Sequence, residues 1–114
     1  MIKIYHNPRC KKSRAGLQHL ESKGVEFELV EYLKNPLTIE DLENILVKMN
    51  AKPIDLIRTQ EDYYKKQLKG KKFTDQEWLK ILVENPKLIK RPIVVKEYKA
   101  VWANPPEEMD GLFK

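Results

Sequence analysis

The chain has 114 residues, of which 41% are hydrophobic and 34% charged, and its formal net charge is +5 at pH 7. These values predict one soluble globular domain, residues 1–114, that is large enough to bury a core without disulfides or metals. No apolar run approaches the roughly 20 residues that a membrane-spanning helix needs, and the N-terminal segment lacks the apolar stretch of a secretory signal, so no membrane partner is expected.

The N-terminal third predicts a strand, a helix and a second strand. Apolar and polar side chains alternate over residues 2–5 and again over residues 25–29, as in strands. Between them, residues 11–23 have helical spacing, with Ala15 among the apolar positions and Gly24 at the position that commonly follows a helix. Two strands joined by one helix in so short a segment predict a parallel βαβ unit.

The remainder of the chain predicts a helical block followed by a hairpin. Capping-box sequences begin at Thr38 and Thr74, and each precedes helical spacing of apolar residues. Residues 93–95 and 100–102 have the β-branched and aromatic composition of paired strands, and residues 104–108 resemble a helix start. The sequence therefore predicts an α/β fold with a mixed sheet of about four strands.

The single cysteine, Cys10, lies between the first predicted strand and helix. One cysteine excludes an internal disulfide, and with only two histidines it cannot complete a four-ligand zinc site, so no metal is expected. Free cysteine chemistry of this kind is typical of a reducing compartment, which predicts a cytoplasmic protein.

The surroundings of Cys10 favour a reactive thiol. A helix N-terminus presents free N–H groups and a partial positive charge, both of which stabilise a thiolate. Arg9, Lys11, Lys12 and Arg14 add cations, which lower thiol pKa values further. The alternative is a buried structural cysteine, which an apolar rather than a basic environment would favour.

Two thiol chemistries are excluded by spacing. A phosphatase loop needs five residues between its cysteine and its arginine, whereas three residues separate Cys10 from Arg14, and position 16, where that arginine would stand, is glycine. Ser13 stands where a C-x-x-C motif would place its second cysteine. Any thiol that resolves a covalent intermediate on Cys10 must therefore come from another molecule.

Arg58 and Arg91 are the other candidates for chemistry, because the chain contains only four arginines. A guanidinium grips a tetrahedral oxyanion in a bidentate way that lysine cannot match. The alternative for each is a solvated surface charge. The basic run at residues 65–72 lacks interleaved aromatic residues and reads as a solvated loop, so no nucleic-acid partner is predicted.

Four segments resemble a known family. Residues 5–14, with the sequence YHNPRCKKSR, resemble the YHNPxCxxSR active-site segment of the glutathione/glutaredoxin-coupled arsenate reductases. Residues 56–61 resemble the second arginine segment of that family, and residues 73–75 and 91–95 resemble two further signatures. The resemblance covers nearly the whole chain and implies a thioredoxin/glutaredoxin-like fold with a helical insertion at about residues 35–90.

The resemblance also implies roles for individual residues. Cys10 takes the position of the nucleophile, and Arg58 and Arg91 take the positions of two arginines that hold the oxyanion, arsenate or a similar ion. The matching supporting residues are His6, Asn7, Ser13, Arg14 and Pro92, with Arg91-Pro92 at the cis-proline position of the family. The family binds no cofactor; it uses glutathione as co-substrate and a glutaredoxin as partner.

The sequence departs from the family in the final hairpin. Family reductases carry a third oxyanion arginine there, whereas residues 100–104 contain none, and Val101 lies about where it would be. Arg9 is a candidate replacement. Two other functions stay open: a regulator of the Spx type that binds RNA polymerase, which Ser13 in place of a second cysteine disfavours, and a glutathione-dependent reductase with another substrate.

Overall fold

Two compact units make up the chain. The computed structural model describes residues 1–114, and they divide into one unit formed by Met1–Asn35 with Arg91–Lys114 and a second formed by Pro36–Lys90. The second unit covers nearly the same residues as the predicted helical insertion. None of the helices is both long and apolar enough to span a membrane.

The first unit contains a four-stranded mixed sheet. Its strands are β1 (Ile2–His6), β2 (Glu28–Glu31), β3 (Ile93–Lys96) and β4 (Lys99–Trp102), in the order β2-β1-β3-β4. β1 runs parallel to β2 and antiparallel to β3, and β3 and β4 form an antiparallel hairpin. The predicted mixed sheet, including its parallel β1–β2 pair, is therefore confirmed.

The second strand starts later than the sequence predicts. Alternation from residue 25 suggested a strand over residues 25–29, but β2 begins at Glu28. Val25 and Phe27 instead pack, half-buried, against the core from outside the ladder. The third apolar residue of the alternation, Leu29, lies in β2 and is exposed, so the alternation predicted core contacts for Val25 and Phe27 and not the bounds of the strand.

The helix of the βαβ unit, α1, spans Lys11–Ser22. Its buried face is formed by Ser13, Gly16 and Leu20, whereas Ala15 is exposed, so the prediction that Ala15 contributes to the apolar face is wrong. The helix ends before Gly24, which adopts φ +69° as the predicted terminating glycine.

The core of the first unit lies between the sheet, α1 and the C-terminal segment. That segment, Pro106–Phe113, is a 3₁₀ helix rather than an α-helix. The buried side chains of the cluster are Ile2, Ile4, Leu20, Val94, Ala103, Met109 and Leu112. Each of the larger aliphatic side chains contributes about 1.5–3 kcal/mol by leaving water, so the core fixes the end of β1 and the start of α1, where Cys10 lies.

Polar contacts attach the C-terminal segment to α1. The carboxylate of Asp110 lies 2.7 Å from Nε2 of His19 and 2.8 Å from Nζ of Lys23. Hydrogen bonds from Lys23 and His19 hold the pKa of the Asp110 carboxyl below its usual value. These contacts stabilise the packing of the C-terminal 3₁₀ helix against α1. A short 3₁₀ helix has few internal hydrogen bonds and depends on such contacts with its neighbours.

The second unit is built on two α-helices, α2 (Ile39–Met49) and α3 (Asp75–Glu84). Both predicted capping boxes are present, with Thr38 accepting from the Asp41 N–H at 3.0 Å and Thr74 from the Glu77 N–H at 3.2 Å. The connecting segments form 3₁₀ helices at Pro53–Leu56 and Pro86–Leu88 and a π-helical turn at Tyr64–Leu68.

Candidate active site

Cys10 occupies the N-cap position of α1. Its backbone is extended, with φ −95° and ψ 122°, and its N–H donates to the Asn7 carbonyl at 3.1 Å, which closes the turn after β1. The Asn7 side chain stabilises the same turn by accepting from the Arg9 N–H at 3.0 Å, and Arg14 Nη1 donates to the Pro8 carbonyl at 3.0 Å. The turn thus holds the thiol where the first N–H groups of a helix are available.

A buried polar network supports this turn from below. Ser13 Oγ accepts from the Asn7 N–H at 3.0 Å and lies 2.7 Å from Nδ1 of His6. Because Oγ already accepts from Asn7, its own proton can be donated to Nδ1 of a neutral imidazole. Burial lowers the pKa of His6 below its usual value, although Glu31 partly opposes the shift. His6 is therefore neutral at physiological pH, which matches the hydroxyl donor that it faces.

Arg91 provides the positive charge that acts on the thiol. The residue is buried, with 9% of its surface exposed, and its guanidinium hydrogen-bonds the Cys10 sulfur. Burial raises the pKa of the Cys10 thiol, but the N–H groups of Ser13 and Lys12 and the charge of Arg91 outweigh it, so the net pKa lies below the ordinary value. A larger fraction of Cys10 is thus thiolate, the nucleophilic form, at neutral pH.

The loop before β3 carries Arg91, and residues of β4, of the segment after it and of α1 contact this loop. The Arg91–Pro92 bond is cis, as the resemblance implied. Trp102 Nε1 donates to the Arg91 carbonyl at 3.1 Å, and the Ala103 N–H donates to the Pro92 carbonyl at 2.9 Å. On the other side, a Cβ at Gly16 would overlap Cγ of Pro92, so glycine permits the close approach of α1 to this loop.

Arg58 lies in the second unit, where a short bridge fixes its main chain. Ile57 pairs with Ile89, and the Arg58 N–H donates to the Leu88 carbonyl at 2.7 Å. Its Nη1 lies 2.5 Å from Oε2 of Glu61, and only 17% of the Arg58 side chain is exposed. Arg58 is therefore a mostly buried, ion-paired side chain and not the solvated charge that was its alternative reading.

The final hairpin does not direct Val101 to the polar network. Val101 pairs with Val94 and packs, half-buried, against the hydrophobic cluster of the first unit. The side chain of an arginine at position 101 would thus start against the hydrophobic cluster of the first unit. Arg9 is exposed, and its role as a replacement for the third arginine stays a prediction.

Three residues near the predicted site were missed by sequence reasoning. Gly16 in the middle of a helix was a readable signal, because glycine there is unfavourable without a packing reason. Glu61 also had a signal, its spacing of three residues from Arg58. Trp102 had no such signal, because its contact with Arg91 depends on the pairing of β3 with β4.

Comparisons with known proteins identify the family of the chain. The ArsC family model matches residues 5–112. The uncharacterized protein YfgD of Escherichia coli K12 is 44% identical over 112 residues, which cover 95% of this chain and 92% of that protein. An arsenate reductase of Neisseria meningitidis is 36% identical over 113 residues, or 97% of both chains.

A solved structure confirms the predicted thioredoxin-like fold. The arsenate reductase from Vibrio cholerae superposes with a TM-score of 0.90 at 33% identity, covering 96% of this chain and 95% of that one. Both the family match and the structural match extend over nearly the whole chain, and the family match includes the segments that carry Cys10 and Arg91. The chain therefore belongs to the ArsC family.

Proposed function

We propose that this protein is a thiol-dependent reductase that converts arsenate to arsenite through a covalent adduct on Cys10. The observation that carries the proposal is the Arg91 guanidinium hydrogen-bonded to a Cys10 sulfur whose pKa is lowered at the start of α1. A cation and helix N–H groups that stabilise a thiolate also suit a tetrahedral anion that reacts with it. Relatives from Neisseria meningitidis and Vibrio cholerae bear the name arsenate reductase.

In the proposed complex, Arg91 holds the oxyanion beside the helix N-terminus, and the family resemblance implies Arg58 as a second ligand of the ion. Each guanidinium offers paired N–H donors that match two oxygens of a tetrahedral ion. Glu61 already occupies Nη1 of Arg58, so the oxyanion binds through the remaining donors of that side chain. This arrangement orients arsenic toward the sulfur of Cys10.

The first step forms a bond between Cys10 Sγ and arsenic and breaks one arsenic–oxygen bond, with the oxygen leaving as water after protonation. Glutathione then attacks the adduct and displaces a second oxygen as water. A glutaredoxin thiol next attacks the sulfur of the bound glutathione; the two thiols end as a disulfide, and their electron pair reduces As(V) to As(III). Hydrolysis of the remaining bond releases arsenite and restores Cys10. The external thiols are required because the chain has one cysteine.

A coupled assay tests the proposal. Arsenate-dependent oxidation of NADPH is followed with glutathione, glutathione reductase and a panel of glutaredoxins, for the wild type and for Cys10→Ser. We expect activity with the wild type only. A Cys10→Ser protein of full activity would overturn the mechanism. A wild-type protein that alkylates rapidly but does not reduce arsenate would show that arsenate is not the substrate, and would direct the search to other oxidants or to RNA polymerase binding.

A further inference from the structure

The main chain of Arg91 lies just outside the β3–β4 ladder, and a side chain of β4 holds it. The ladder begins where Ile93 pairs with Trp102, so the loop at residues 91 and 92 extends beyond it. The Trp102 indole reaches across this end to the Arg91 carbonyl at 3.1 Å, and the next residue, Ala103, bonds the Pro92 carbonyl at 2.9 Å. Trp102 and Ala103 thus hydrogen-bond the carbonyls of Arg91 and Pro92, respectively.

Tryptophan suits this contact because it combines an apolar ring with a fixed donor. The indole N–H can donate but cannot accept, so it pairs with a carbonyl in only one sense. The ring is half-buried and loses little conformational freedom when it packs at a strand end. Pro92 has no N–H to contribute, so at residue 92 the carbonyl is the backbone group that β4 can hold.

The position of the Arg91 main chain determines where its guanidinium can lie. The side chain is buried, so it has few alternative rotamers, and its donors meet the Cys10 sulfur. Hydrogen bonds to a charged group depend steeply on distance and direction. A shift of the residue 91 carbonyl would therefore be transmitted to the contact between guanidinium and sulfur.

We propose that Trp102 is a positioning residue of the active site, whose indole N–H holds the Arg91 main chain so that the guanidinium stays beside the Cys10 sulfur. The inference rests on the proposed function, since it assigns Trp102 to the same site. In this proposal Trp102 acts on the thiol through its hydrogen bond to the Arg91 carbonyl.

The test measures the pKa of the thiol and needs no arsenate. Because Cys10 is the single cysteine, the pH dependence of alkylation by iodoacetamide reports this thiol and no other. We expect Trp102→Phe, which keeps a ring and removes the donor, to raise the pKa of Cys10 by about half a unit to one unit. Alkylation at mildly acidic pH then slows by about 3- to 10-fold.

The other tryptophan of the chain supplies a matched control. Trp78 lies in α3 of the second unit, is buried and packs edge-on against Phe73. Trp78→Phe therefore removes an indole with a comparable or greater loss of packing but leaves the loop of Arg91 untouched. We expect the pKa of Cys10 in this variant to equal that of the wild type, with both variants checked for folding by circular dichroism.

Two further proteins keep the proposal falsifiable if Trp102→Phe does not fold. In the Trp78→Phe background, replacing tryptophan by benzothienylalanine changes only the indole N–H of position 102 to sulfur, and the same rise in pKa is expected. In an Arg91→Ala, Trp78→Phe background, the benzothienyl replacement at position 102 should add no further shift, because the side chain through which Trp102 acts is gone. An unchanged pKa in the benzothienyl protein, or an equal shift without Arg91, would overturn the assignment.

The outcomes separate this inference from the proposed function. If the pKa of Cys10 shifts as expected but the wild-type protein does not reduce arsenate, the role of Trp102 stands and arsenate is not the substrate. If arsenate is reduced and the pKa is insensitive to the indole N–H, the reaction stands and Trp102 is a packing residue only.

Discussion

Gly16 offers a direct measure of how tightly α1 approaches the loop that carries Arg91. A Cβ at this position would overlap Cγ of Pro92 and lie 3.5 Å from the Ala103 carbonyl oxygen. In an open helix, Gly→Ala stabilises by about 1 kcal/mol, whereas forcing a methyl group into a packed contact costs about 1–3 kcal/mol. Because Pro92 is a buried ring, we expect the steric cost to dominate and the free energy of unfolding to fall by about 1 kcal/mol.

Thermal unfolding of Gly16→Ala measures this loss. For a domain of this size the expected fall in Tm is about 4 °C. A displaced Pro92 would also move its neighbour Arg91 away from the Cys10 sulfur. The pKa of Cys10 should therefore rise, and alkylation should require a higher pH. The matched control is Ala15→Gly, since Ala15 is the exposed neighbour in the same helix; it should cost about 1 kcal/mol through helix propensity alone and leave the pKa of Cys10 unchanged.

The opposite outcome for Gly16→Ala would refute the reasoning. A variant with a higher Tm than the wild type and an unaltered pKa of Cys10 would mean that the gain in helix propensity from alanine exceeds the cost of the contact between its Cβ and Pro92. The helix and the Pro92 loop would then be free to separate by the width of a methyl group, and Gly16 would have no part in placing Arg91.

Three other perturbations address the charges. Arg91→Lys keeps a positive charge but loses the planar fork, so the ultraviolet absorbance of the Cys10 thiolate should titrate at a higher pH; an identical curve would contradict this. Glu61→Gln removes the negative charge that pairs with Arg58 and leaves an amide oxygen that competes less strongly with an anion, so it should lower the KM for arsenate about 2- to 5-fold in steady-state assays; a raised KM would show that Glu61 mainly orients Arg58. Because the pKa of Asp110 is depressed below 3.8, its carboxylate stabilises the fold above that pH and ceases to as the pH falls through the lowered value. The Tm values of wild type and Asp110→Asn should thus differ at neutral pH and converge in strong acid; a constant difference would exclude the ionised carboxylate as the cause.

Signals confined to a few residues were sufficient to predict much of the fold. The capping boxes at Thr38 and Thr74 place an acceptor and a donor within one helical turn, so their geometry is nearly independent of the rest of the chain. Gly24 likewise marks a conformation that other residues adopt at a cost. The Cys10 turn belongs to this class, because Asn7, the helix start and the thiol are neighbours in sequence.

Features that depend on distant pairing were not predictable in the same way. Ala15 has helical spacing with apolar residues, yet its exposure was decided by where the sheet meets α1. The cis bond at Asn104–Pro105 has no signal in its residue types, since most such bonds are trans. Arg91 was placed beside the thiol by resemblance, and Trp102 emerged only from the register of β3 and β4.

The discontinuity of the first unit has a consequence for when the thiol becomes reactive. Cys10 belongs to the first segment of that unit and Arg91 begins its last segment, with all of Pro36–Lys90 synthesised between them. A nascent chain therefore exposes Cys10 long before its activating cation has left the ribosome, and until then the thiol has no Arg91 to lower its pKa. The contribution of Arg91 to the reactivity of Cys10 therefore arises only at the close of folding, when β3 and β4 have joined the sheet.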